Sequence, residues 1–138
     1  TPMHTHILRH FKNFNAVVHT HALFCTVFSV INKTLPAMTV PQLMYHLAPV
    51  ENVPFETPGS EELGNAVVKA LEGNKKAVLM QNHGMLVADI SLEKAFTGAE
   101  YLEEAAQIAY YALLVGGMNP IPPQAIVKFN RLTEGRAA

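Results

Sequence analysis

Ser91 opens an unbroken stretch, Leu92 to Val115, that is rich in Ala, Leu and Glu and closed by Gly116-Gly117. Strong helix formers between a serine and a glycine pair predict one long helix. Just upstream, Ala77 to Gln81 and Met85 to Ala88 are short apolar runs separated by Asn82-His83-Gly84. They read as two strands meeting at a tight bend, with His83 on the bend and glycine taking an unusual φ.

The rest of the chain continues this alternation. Met3, Ile7 and Phe11 share one helical face, which predicts a short helix from Pro2 to about Lys12. Asn15 to His21 is β-branched and short, a mostly buried strand, and Ala22 to Ile31 is apolar at helical spacing. Between Leu35 and Pro58, the prolines at 36, 41, 49, 54 and 58 forbid long helices and leave room for short extended pieces such as Met38 to Val40. Ser60-Glu61-Glu62 has the layout of an N-cap followed by acidic residues, and Gly73 supplies the stop of a helix between them. Beyond Gly117 the tail is proline-rich and then polar. Helices alternating with strands predict an α/β layered domain.

At 138 residues and 49% hydrophobic content, the chain supports one domain with a real core and is too short for two. A formal charge of -1 provides no broad basic surface for nucleic acid or an anionic membrane. No apolar run approaches the roughly 20 residues needed to span a bilayer. The start, Thr1-Pro2-Met3-His4, lacks the layout of a signal peptide, and a single Cys25 fits a reducing compartment, so the expected location is the cytoplasm.

The chemistry centres on histidine. Side chains at i and i+2 of a strand share a face, so His19 and His21 can present two imidazoles to one ion, with Thr20 turned away. A catalytic zinc typically keeps three protein ligands and one open position, and His83 on its bend is the natural third. The same spacing also fits two hydrogen-bonded core histidines, and spacing alone does not choose between them. His6 and His10 stand at i, i+4, but Ile7 occupies the place where the zinc-protease pattern needs Glu. His4, His6 and His10 therefore read as solvated or hydrogen-bonded helix residues, and His46 as a loop histidine. Cys25, beside Phe24 and Val27, reads as an inert buried thiol. Of the long helix's acids, Glu103 is the candidate to orient a ligand histidine through its second nitrogen.

Several segments together resemble the class II aldolase and adducin family: Asn15 to Ala22, Cys25-Thr26 with Ser29, Leu35-Pro36-Ala37, Gly59 to Leu63, Gln81 to Gly84, Ser91 to Ala95 and Leu102 to Ala106. They occur in the expected order over most of the chain. The resemblance implies a three-layer α/β/α fold around a largely antiparallel sheet. It also implies zinc, or another divalent metal, on His19, His21 and His83, and a homo-oligomer, as a tetramer. The implied activity is retro-aldol cleavage of a small sugar phosphate, a ketose 1-phosphate. Its acid/base glutamate would fall immediately before Thr1 and the phosphate-gripping residues further upstream, so the chain is expected to lack its N-terminal part. A tyrosine of the family falls on Val40 and another near Leu132, with Tyr45 a stand-in for the first. A pentulose-phosphate 4-epimerase ranks second, since its Thr-His-Ala-Asp segment is not visible in Met38 to Pro49. A scaffold without chemistry, as in adducin, would not need all three histidines.

Overall fold

A computed structural model describes residues 2–134. Its elements, in chain order, are α1 (Pro2–His10), β1 (Ala16–Thr20), α2 (Leu23–Val30), α3 (Val40–Met44), β2 (Asn52–Val53), α4 (Glu61–Leu71), β3 (Ala77–Met80), β4 (Gly84–Asp89), α5 (Leu92–Val115) and α6 (Pro123–Glu134). The strands form one sheet in the order β1-β4-β3-β2. β1 and β3 each pair antiparallel with β4, while the two-residue β2 lies parallel to β3.

Strand periodicity sends alternate side chains to opposite faces, and both faces are covered. Val78, Met80, Leu86 and Ala88 pack with Met3, Ile7, Leu63, Val67 and Leu71 of α1 and α4. Ala77, Leu79, Met85 and Val87 pack with Cys25 and Phe28 of α2 and with Ala99, Leu102, Ala105, Ala106 and Ala109 of α5. The result is an α/β/α sandwich, and it explains why β3 and β4 read as continuous apolar runs.

Local chemistry sets the helix boundaries. Ser60 and Ser91 hydroxyls accept from the backbone N–H groups of Leu63 and Lys94, capping α4 and α5 as their sequences predict. The proline-rich segment departs from expectation. Met38 to Val40 is not a strand: Thr39 caps α3, Val40 is already helical, and Pro41 occupies the first turn, where its missing N–H costs nothing. Gln42, fully buried, takes the Met38 and Thr39 N–H groups on Oε1 and donates from Nε2 to the Pro36 carbonyl. The extended pieces instead lie on either side, at the Leu35–Val50 bridge and in β2. In the tail, Pro123 opens α6, a helix with no buried residue. Among the described residues, no helix is long and apolar enough to cross a membrane.

Candidate metal centre

Antiparallel pairing of β1 with β4 puts His19 opposite Leu86, on the α1/α4 side of the sheet, near the end of β1. His21 follows just beyond that end. His83 sits in the three-residue connection between β3 and β4, beside Asn82, whose φ of 58° supplies the bend. Hydrogen bonds from three directions hold this connection. Gln81 N–H donates to Val53, Asn82 N–H to Ser29, and His83 N–H to Met80. The expected role of glycine in the bend needs refinement. Gly84 has a φ of 159°, close to extended, and the tight curvature is at Asn82. Glycine is required at 84 because the Thr20 carbonyl fills the space of a Cβ.

These elements bring the three histidines together. Ring centroids are 5.0 Å apart for His19 and His21, 4.8 Å for His19 and His83, and 5.0 Å for His21 and His83. One nitrogen from each lies within 4.8 Å of the others, close enough to converge on a single ion. His19 Nδ1–H donates to the Met85 carbonyl at 2.8 Å, which fixes the tautomer that leaves the Nε2 lone pair available to a metal.

Burial is the main cause that lowers the His19 pKa below the ordinary histidine range; the Met85 carbonyl opposes it and His21 reinforces it. Burial also lowers His83, helped by the nearby His19 and His21. Both imidazoles are thus held in the neutral form that metal ligation needs.

The cluster opens into a cleft of about 430 Å³ whose walls include Met3, Pro58, Gly59 and Leu63. His4, from the first turn of α1, lines the same cleft, with its ring centroid 6.5 Å from that of His19. A cavity of about 540 Å³ at the opposite end of the sheet holds His46 on its rim. Its lysines are committed, Lys76 to the buried Asp89 and Lys75 to Glu51. Among the described residues, only the His19, His21 and His83 group has a metal-ligand arrangement.

The family model for the class II aldolase and adducin N-terminal domain matches residues 1–110. The chain belongs to that family. Among class II aldolase relatives, L-fuculose phosphate aldolase of Escherichia coli K12 is 36% identical over 108 residues, 78% of this chain and 49% of that protein. The 5-deoxy-D-ribulose 1-phosphate aldolase of Bacillus thuringiensis serovar kurstaki is 33% identical over 136 residues, 96% of this chain and 62% of that protein. A solved L-fuculose 1-phosphate aldolase superposes with a TM-score of 0.86 at 27% identity, covering 96% of this chain and 62% of that one. The chain thus spans about half to three-fifths of the length of these relatives.

In this class II aldolase and adducin fold, Glu103 does not orient a ligand histidine. Its two carboxylate oxygens accept the backbone N–H groups of Phe24 (2.8 Å) and Cys25 (2.9 Å), at the start of α2. The preceding Ala22 provides no side-chain cap, so a carboxylate from α5 takes the place of one. The second nitrogen of His19 goes instead to a backbone carbonyl, a partner with no signature in sequence. Burial, reinforced by Glu103, raises the pKa of Cys25, which is inert as expected. His6 pairs with Glu61 at 2.7 Å and His10 packs on Phe11, both outside the cleft. Tyr45 lies against Tyr101, and Val40 and Leu132 are exposed on α3 and α6; none of these lines the cleft. His4, read from the sequence as a solvated or hydrogen-bonded helix residue, is the further histidine that lines the cleft. Its place one residue after buried Met3, at the edge of the apolar face, is the signal that points inward.

Proposed function

We propose that the chain is the metal-binding part of a zinc-dependent sugar-phosphate aldolase. The reaction is reversible cleavage of a ketose 1-phosphate, such as L-fuculose 1-phosphate, to dihydroxyacetone phosphate and an aldehyde such as lactaldehyde. The observation that carries this reading is the convergence of His19, His21 and His83 within 4.8 Å. Three imidazoles suit zinc, and three protein ligands leave a position open for substrate. A divalent ion bound there supplies Lewis-acid stabilisation of the negative charge that develops next to the substrate carbonyl as the carbon–carbon bond breaks. His19 is pre-aimed by its bond to the Met85 carbonyl, so little reorganisation precedes binding. Apolar Met3, Pro58 and Leu63 line the cleft beside the site.

In this reading the proton is moved by the glutamate that the family resemblance puts immediately before Thr1. Two features support this. The first turn of α1 lines the cleft through Met3 and His4, and among the described residues no carboxylate does. The reading extends to a homo-oligomer, a tetramer, as the family resemblance implies; Leu114 and Val115, 65% and 87% exposed at the end of α5, are apolar surface that association could cover.

Metal analysis of the purified protein tests the site. His19→Ala is expected to lose the bound metal while keeping the fold, since one of three ligands is gone. A full equivalent of zinc retained at the same cluster in that variant would sink the assignment.

A further inference from the structure

The outer faces of α5 and α6 carry complementary patterns. On α5, Phe96, Glu100, Glu104 and Ile108 follow one another at four-residue intervals and are all exposed. Residues four apart lie on one side of a helix, so two carboxylates stand between two large apolar side chains. The pattern on α6 is the converse. Its inner side, with Ile126, Phe129, Asn130 and Thr133, is partly buried, while Val127, Lys128, Arg131 and Leu132 line a groove of about 550 Å³ on its outer side. There two cations stand between two apolar side chains. The spacings also agree: by helical rise the carboxylates are about 6 Å apart along their axis and the cations about 4.5 Å along theirs.

These charges are uncompensated within the chain. The ion pairs among the described residues are His6–Glu61, Lys75–Glu51 and Lys76–Asp89, and none involves Glu100, Glu104, Lys128 or Arg131. The acidic start of α4 offers no equivalent surface, since that helix has no large exposed apolar residue and Glu61 is committed to His6.

We propose that the outer face of α6 docks on the outer face of α5 of a second copy of this chain. The inference rests on the homo-oligomer reading above and says where the copies meet. Burial of Phe96, Ile108, Val127 and Leu132 supplies the attraction, and the charges fix register and partner. Because the two faces differ, each copy gives one and receives the other, a head-to-tail contact that repeats until a ring closes.

Charge reversal in the intact protein, followed by sedimentation velocity, tests this. Lys128→Glu with Arg131→Glu in one variant, and Glu100→Lys with Glu104→Lys in another, each set like charges against one another. Each variant alone is expected to keep its circular dichroism and to dissociate at concentrations at least about tenfold higher than the native protein does. Mixing the two restores opposite charges at every contact, so the mixture should reassemble to the native size. A native protein that stays monomeric at all concentrations would overturn both the homo-oligomer reading and this contact. An assembly that persists unchanged in both folded variants, or variants that stay apart when mixed, would overturn the contact alone.

Discussion

Where β4 begins, the space for a Cβ on Gly84 is taken by the Thr20 carbonyl, and the Cα and a ring carbon of His21 stand 3.2 Å from the same point. That contact sets how close the end of β1, with His19 and His21, comes to the bend that carries His83. Alanine at 84 must push the two apart, and backbone cannot yield as a flexible side chain does. Gly84→Ala is expected to keep the overall fold, by circular dichroism, and to lose about 10- to 100-fold in zinc affinity, as when groups that orient metal ligands are disturbed. Chelator competition measures this; a folded variant that binds zinc as tightly as the native protein contradicts it. Gly98 makes a contrast. There a Cβ would meet the Val87 side chain at 3.2 Å, so a shift of a few tenths of an ångström by one side chain is asked for and not a displacement of backbone.

Helix α2 follows directly from the ligand strand, and its start is secured from another layer element. Two of its orphan N–H groups end on Glu103 of α5, so the carboxylate both caps the helix and fixes where β1 turns into it. Removing it leaves two partly buried donors unsatisfied and deletes a negative charge from the positive end of a helix dipole. Glu103→Ala should therefore lower unfolding free energy by about 1–3 kcal/mol in urea titrations, with Glu103→Gln in between. Zinc stoichiometry should stay unchanged, which separates this role from the orienting role that the sequence suggested. Loss of metal without loss of stability would reverse that conclusion.

Across the whole molecule, α1, β1 and the β3–β4 connection each deliver histidines to one cleft, and folding is what crowds them. Burial lowers the pKa of His4, and His19 next to it adds to the effect; His19 and His83 are shifted the same way. In the unfolded chain these groups titrate near about 6.5. As pH falls through that value, the unfolded state takes up protons that the folded state resists, so stability is present above the unfolded pKa and declines below it. Protons also compete with zinc for the same nitrogens. Thermal melts of metal-free and zinc-loaded protein from about pH 8 to 5 should show both midpoints falling and the gap between them narrowing. A gap that stays constant over this range would exclude imidazole ligation. Much of this architecture is legible in the chain itself: Ser60 and Ser91 announce α4 and α5, short apolar runs announce β1, β3 and β4, and His19, His21 and His83 emerge as one site from strand geometry, a bend and a family resemblance. Local signals suffice there because caps, strand alternation and turn residues act over a few positions. The segment from Pro36 to Met44 is less legible, since a buried glutamine organises it through contacts that composition does not announce. The Met85 carbonyl on His19, the carboxylate of Glu103 on α2 and the entry of His4 into the cleft are fixed only by packing. Each joins residues from separate elements, and a backbone acceptor or a side chain reaching from another layer leaves no periodic trace in the sequence.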